Sequence, residues 1–203
     1  MPRPLCTRCL RPLSHCLCAL IPSLECRTRL VVLQHPSEAR HALNTARLAV
    51  LGLAGARRVV GEYFSEQDWT QPGYAPRLLF PGEGAEVLTP GYGRELGMPV
   101  QLIVPDGTWG HARKLLHINP RLAALPRVML PAGLPTRYRV RHADMPGALS
   151  TIEAVTHALN AIEAPRNFDA LLRPFEALID GQIAGMGADL YAKHHLNRKV
   201  PWR

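Results

Sequence analysis

Long apolar runs are missing from this 203-residue chain. No stretch approaches the roughly 18 unbroken apolar residues of a membrane-spanning helix, so no span is expected. The opening MPRPLCTRC has none of the apolar core of an export signal, and a cytoplasmic protein is expected. Negative charge is scarce as well. Sixteen Asp and Glu face 24 Lys and Arg, for a net charge of +8 on only 20% charged residues, with a sequence pI near 9.7. The excess is mostly arginine, whose planar guanidinium suits phosphate. Contact with nucleic acid fits that balance, and so does an ordinary solvated basic surface. Internal repeats and low-complexity segments are absent too. The length then suits one domain with a real core and at most a small appendage.

Cysteine is also sparse, at five residues, yet four of them crowd into CTRCLRPLSHCLC as Cys6, Cys9, Cys16 and Cys18. Cys-x2-Cys followed by Cys-x-Cys lets two short knuckles present four thiolates to one tetrahedral ion. A pair of disulfides is the rival, which a cytosolic compartment disfavours. A redox dithiol is another, but it needs only one pair and a βαβ setting. The spacing therefore points to structural zinc. His15 is a spare ligand, since the all-thiolate set is complete without it. Four protein ligands leave no open position for catalysis. Little in residues 1–26 promises a core of its own, so the metal is expected to supply this segment's folding energy. Cys26 leads into a strand and reads as a core residue.

Beyond the knuckle, TRLVVLQ (28–34) reads as a buried strand. Pro36 turns the chain, with Ser37 as a cap, into a helix over about 38–52 on Leu43, Arg47, Val50 and Leu51. ARRVVGEY (56–63) and RLLFPG (77–82) are further short strands. VQLIV (100–104) is another, followed by a helix over 108–118 that ends at Asn119-Pro120. RVML (127–130) and RYRVR (137–141) read as extended. Ser150 and Glu153 make a capping-box pattern for a helix whose stripe is Ile152, Val155, Leu159 and Ile162. A last helix spans about 167–183, with Pro174 expected to kink or split it. Strands apolar throughout and alternating with helices argue for a mostly parallel α/β sheet with flanking helices. The resulting division is a zinc-binding knuckle over 1–26 and an α/β domain over 27–203.

VQLIVPDGTWGHARK (100–114) is the odd segment, since a buried strand breaks into a carboxylate and an indole. Ligands of open α/β sheets bind beyond the carboxyl ends of strands, where Asp106 to Trp109 fall. The plain alternative is that Asp106 caps the next helix and Trp109 packs beneath it. With CTRCLRPLSHCLC, QHPSE, NPRL behind the DGTWGHARK stretch, and YRVR followed by LSTIEA, the chain resembles the DTW-domain family along nearly its full length. That family comprises tRNA-uridine aminocarboxypropyltransferases, and its fold is similar to the SPOUT methyltransferases, with a C-terminal knot. No sequence pattern suggests a knot, which the resemblance alone implies.

The resemblance implies transfer of the 3-amino-3-carboxypropyl group of S-adenosyl-L-methionine to N3 of a uridine in tRNA, releasing methylthioadenosine. Which carbon on the sulfonium reacts is a matter of which is held in line with the nucleophile, at about 3–3.5 Å. Uracil N3 is protonated at neutral pH, so a carboxylate within hydrogen-bond reach, Asp106, is the candidate general base. Holding the ligand's amine or ribose is its other role. Gly107 allows close backbone approach, and Thr108 donates to a ligand or caps the helix. Trp109 stacks on a base or packs in the core. By resemblance, Leu149, Ser150 and Thr151, with Tyr138, hold S-adenosyl-L-methionine opposite LLFP, which contains Phe80 and Pro81. A helix start there favours a carboxylate.

Arg113 and Lys114 are placed to meet tRNA phosphate, or form a solvated helix face. In a strand, Arg137, Arg139 and Arg141 share one face, suited to an RNA backbone or to plain solvation. The basic tail KHHLNRKVPWR is a further RNA candidate. His35 and Glu38 belong to the early motif without an assigned role. Two other readings stand: a SPOUT-type RNA methyltransferase, and a non-catalytic zinc-knuckle RNA-binding protein that needs no S-adenosyl-L-methionine.

Overall fold

The computed structural model describes residues 4–140 and 148–193. Its strands are β1 (Arg29–Gln34), β2 (Arg57–Val60), β3 (Ala75–Leu79), β4 (Glu86–Val87), β5 (Val100–Asp106) and β6 (Arg127–Met129). They form one six-stranded sheet in the order β2-β1-β5-β3-β6-β4, with every neighbouring pair parallel. The helices are α1 (Thr45–Leu51), α2 (Glu66–Trp69), α3 (Tyr92–Glu95), α4 (Trp109–Ile118), α5 (Pro120–Ala123), α6 (Thr151–Ile162), α7 (Leu172–Met186) and α8 (Ala188–Tyr191). The expected parallel α/β architecture is what forms. None of the described helices is long and apolar enough to cross a membrane.

Strands β1 and β5 are apolar at consecutive positions because both sheet faces are covered. Leu30, Val32, Leu102 and Val104 face the larger core with Ile152, Val155 and Leu159 of α6 and Phe175 of α7. Val31, Leu33 and Ile103 point the other way, onto Trp69, Leu116 and Leu122. Each such side chain contributes about 1.5–3 kcal/mol of burial. The N-terminal segment does not stand apart, contrary to the expectation that it lacks core residues. Cys9, Leu17 and Ile21 are buried in the larger core, and Leu24 bridges to Leu53.

Three elements differ from their expected form. The helix expected from residue 38 starts only at Thr45, because a 3-10 turn, Pro36–Glu38, intervenes. Asn44, not Ser37, caps α1 by accepting from the Arg47 amide at 3.0 Å. RYRVR makes no strand over its described residues. The Arg137 amide donates to Glu153 Oε1 at 2.6 Å and the Tyr138 amide to Thr136 Oγ1 at 3.1 Å, so neither is free for a ladder. Pro174 does not split α7, which runs unbroken from Leu172 to Met186. A 3-10 turn, Asp169–Leu171, leads into α7, and Pro174 falls in the first turn, where a missing amide breaks no helical bond. Arg141 and the tail KHHLNRKVPWR lie outside the described residues, the tail from residue 194 on.

With all strands parallel, their carboxyl ends open on one edge. Gln34 ends β1, Leu79 ends β3, Asp106 ends β5 and Met129 ends β6. The chain places β2 on one side of β1 and β3 on the other side of β5, which creates the reversal of strand order where α/β folds hold ligands.

Candidate functional site

The cysteine Sγ atoms of the knuckle lie within 4.8 Å of one another, with Cys6 and Cys18 at 3.5 Å and Cys9 and Cys16 at 3.8 Å. A tetrahedral site with metal–sulfur bonds of about 2.3 Å needs sulfurs about 3.8 Å apart. The backbone N–H groups of Cys9 and then Arg8 draw the Cys6 thiol down to about 6, favouring the thiolate that a metal takes. Burial, and then the hydrogen bond with Cys6, push the Cys18 thiol up to about 12. The donor set therefore fits a metal ion. Cys26 takes no part: its thiol donates to the Thr28 carbonyl, and burial pushes it up to about 11.

Two cavities open along the carboxyl edge of the sheet. One, of about 450 Å³, is mainly apolar and is lined by Phe80, Pro81, Val104, Gly107, Trp109, Met129, Leu130, Leu134, Leu149 and Thr151, among others. Its walls come from the segments after β3, β5 and β6 and from the start of α6. The other, of about 410 Å³, is the more polar of the two though half its lining is apolar, with Glu38, His41, Asn44, Thr45, Asp106, Thr108, Tyr138 and Thr151 in its wall beside Leu43 and Val140. Gly107 and Thr151 line both, so the cavities meet there. Trp109, the first residue of α4, is half-buried and tilts against Phe80 with ring centroids 5.6 Å apart. It lines the apolar cavity rather than joining the core.

Asp106 is 8% exposed and does not cap the following helix. That role falls to Thr108, which accepts from the His111 amide at 3.2 Å. One Asp106 oxygen accepts from the Thr151 hydroxyl and the other from Gln34 Nε2 at 2.6 Å. Gln34 is fully buried, and its own oxygen accepts from Arg58 at 2.6 Å. Burial, and next the neighbouring Arg47, hold the Arg58 guanidinium below its ordinary value, while Asp106 works in the opposite direction. The carboxylate thus faces a chain of donors that ends in the Arg58 guanidinium. Sequence reading missed Gln34 and Arg58. The in-register pairing of Gln34 with Asp106 across β1 and β5, which no local pattern carries, brings Gln34 there.

The early motif is placed beside the same loop. His35 Nε2 lies 2.8 Å from Glu62 Oε1, and its Nδ1 lies 2.7 Å from the Ser37 hydroxyl. His35 and His111 stack with centroids 3.9 Å apart and planes within 5°. A Cβ on Gly107 would fall 2.8 Å from His111 Cβ and 3.4 Å from His35 Cβ, so this stack requires glycine there. Lys114 donates to Glu62 at 2.8 Å. Lys114, then His35, hold the Glu62 carboxyl below the usual carboxylate range.

The other expected site residues divide as follows. Phe80, Pro81, Gly107, Trp109, Leu149 and Thr151 come together around the apolar cavity. Asp106, Thr108 and Tyr138 line the polar one. Ser150 reaches neither; it is buried and donates to Glu153 Oε2 at 2.6 Å. Arg113 is exposed on α4. Arg137 and Arg139 pair with Glu176 and Asp180, one turn apart on α7. The segment 129–134 and residues Glu38, His41, Asn44 and Thr45 were not expected in the walls, apart from Glu38 as an unassigned motif residue.

The DTW domain model matches residues 3–183. Among curated proteins, tRNA-uridine aminocarboxypropyltransferase 2 of Macaca fascicularis is 30% identical over 96% of this chain and 68% of its own. The Mus musculus protein of that name is 31% identical over 97% of this chain and 69% of its own. The Drosophila melanogaster one is 30% identical over 97% and 82%, respectively. No solved structure matches.

Proposed function

This chain belongs to the DTW-domain family, and on that premise we propose that it transfers the 3-amino-3-carboxypropyl group of S-adenosyl-L-methionine to N3 of a uridine in tRNA, releasing methylthioadenosine. The observation that carries this reading is the meeting of an apolar and a polar cavity at Gly107 and Thr151, beside a carboxylate. The names of its relatives supply the substrate and the group transferred.

Phe80, Pro81, Trp109 and Leu149 form walls suited to an adenosyl moiety, with Gly107 and Thr151 at the junction. When bound, S-adenosyl-L-methionine supplies a sulfonium that activates the adjoining methylene and keeps the electron pair of the broken bond. Asp106 takes the N3 proton as the new N–C bond forms, and the Gln34–Arg58 relay holds its carboxylate in place. Thr108 and Tyr138 bound the polar side. Ser150 acts only through its cap on α6.

Zinc held by Cys6, Cys9, Cys16 and Cys18 is structural, and residues 1–26 form a knuckle on a catalytic domain over 27–203. Arg113, Lys114, Arg137, Arg139 and Arg141 contribute to tRNA contact. The described ion pairs of these residues are exposed, so phosphate can compete for them. A cytoplasmic location follows from a tRNA substrate.

The test is to incubate the purified protein with S-adenosyl-L-methionine and unmodified tRNA and to weigh the nucleosides. An aminocarboxypropyl increment on uridine, with methylthioadenosine released, is the expected result. A methyl increment would replace this reading with an RNA methyltransferase, and no binding of S-adenosyl-L-methionine would leave an RNA-binding protein. Asp106→Ala should abolish modification with tRNA binding nearly intact; retained modification removes Asp106 from the mechanism.

A further inference from the structure

The polar cavity contains hydrogen-bonding groups that no described residue engages. Thr45 is only 6% exposed and lines the cavity, yet its hydroxyl bonds to none of the described residues. That hydroxyl is not sealed off from the cavity, so a ligand or water can meet it. Its neighbour Asn44 is fully committed. Asn44 donates to the Glu38 carbonyl at 2.9 Å and to Gln34 Oε1 at 3.4 Å, and accepts from the Arg47 amide at 3.0 Å.

His41, on the same wall, has one ring nitrogen in use: Nδ1 accepts from the Leu43 amide at 3.2 Å. That bond puts the neutral ring's proton on Nε2, which becomes a donor with no partner among the described residues. Asp106 receives one donor on each carboxylate oxygen, and each oxygen retains room for another. Glu38, the other carboxylate in the wall, lies 4.0 Å from His111 Nδ1.

The cavity therefore offers two unused donors and one acceptor. Uracil's pairing edge is the complement: carbonyl acceptors on either side of the N3–H donor. We infer that this cavity reads that edge, with His41 Nε2–H and the Thr45 hydroxyl donating to the two carbonyls and Asp106 accepting from N3–H. Cytosine is refused because its N3 is an acceptor and would face a carboxylate acceptor with no proton between them. The same arrangement selects N3 as the reacting atom, since the group that identifies the ring also takes its proton. This inference rests on the transfer reading above.

The test measures uridine modification at limiting tRNA for the full chain, Thr45→Val, Thr45→Ser and His41→Phe, with S-adenosyl-L-methionine binding measured by calorimetry. Thr45→Val and His41→Phe should each lower the rate about tenfold, while Thr45→Ser restores most of it. Binding of S-adenosyl-L-methionine should not change. Repeating the assay on transcripts made with 2-thiouridine or 4-thiouridine weakens one ring acceptor at a time. Each variant should then be insensitive to one of the two replacements, which a merely structural role would not produce.

Full activity in both variants overturns the inference, as do losses that multiply with both analogues. Loss of S-adenosyl-L-methionine binding in these variants also overturns it, because the cavity would then belong to the group donor. His41 is exposed, so His41→Phe carries the test if Thr45→Val does not fold. A wild-type protein that binds S-adenosyl-L-methionine but modifies no uridine sinks the transfer reading, and this inference with it.

Discussion

Asp106 shows how much of a site lies behind the residue that faces its cavity. Gln34 is uncharged and fully buried, yet it joins the carboxylate to Arg58 through two bonds of 2.6 Å. Gln34→Leu leaves one Asp106 oxygen and the Arg58 guanidinium without their partner. It should cost about 1–3 kcal/mol in urea denaturation. Uridine transfer should fall with it, while S-adenosyl-L-methionine binding holds, because Gln34 lines neither cavity. Glu62 gives a pH prediction. Its carboxyl is held below its unfolded value by Lys114 and then His35. The stabilisation is therefore complete above the unfolded value and is lost as pH falls through the folded one. The gap in urea midpoint between wild type and Glu62→Gln should be widest near neutrality and close on acidification. A gap that stays constant would mean that Glu62 acts by packing alone.

At the scale of elements, one carboxylate ties the start of α6 to the middle of the loop that precedes it. Glu153 accepts from the Ser150 amide and hydroxyl on one side and from Thr136 and the Arg137 amide on the other. Glu153→Gln should lower stability by about 1.5–3 kcal/mol, read by thermal or urea unfolding. The ion pairs to α7 have a different role. Exposed pairs such as Arg137–Glu176 and Arg139–Asp180 contribute about 0.2–1 kcal/mol each. Neutralising both carboxylates with Glu176→Gln and Asp180→Asn should barely move the melting temperature. It should tighten tRNA binding and steepen its dependence on salt, as two arginines become free for phosphate. Unchanged tRNA affinity would take those arginines out of the RNA contact. The knuckle is coupled to the polar cavity as well, since Arg11 donates to the Ala42 carbonyl at 2.9 Å, next to His41 and Leu43. Stripping the metal with a chelator should therefore depress uridine transfer more than S-adenosyl-L-methionine binding, when the two are measured side by side.

For the molecule as a whole, the parallel sheet gathers the ends of β1, β3, β5 and β6 on one edge, and the net charge of +8 supplies a general attraction for RNA. The sequence by itself determined the features that repeat locally. The continuous apolar runs of β1 and β5 required cover on both faces. The Ser150–Glu153 cap fixed the start of α6, and four closely spaced thiols supplied a donor set that could hold a metal ion. Tertiary structure alone decided what faces Asp106: Gln34, 72 positions away, and Thr151, 45 positions away. It also turned RYRVR from a strand into a tethered loop, because buried Glu153 took the Arg137 amide and Thr136 the Tyr138 amide. Periodicity records which way a residue faces along its own element. Strand register and helix docking, which bring distant residues together, are settled only when the core packs.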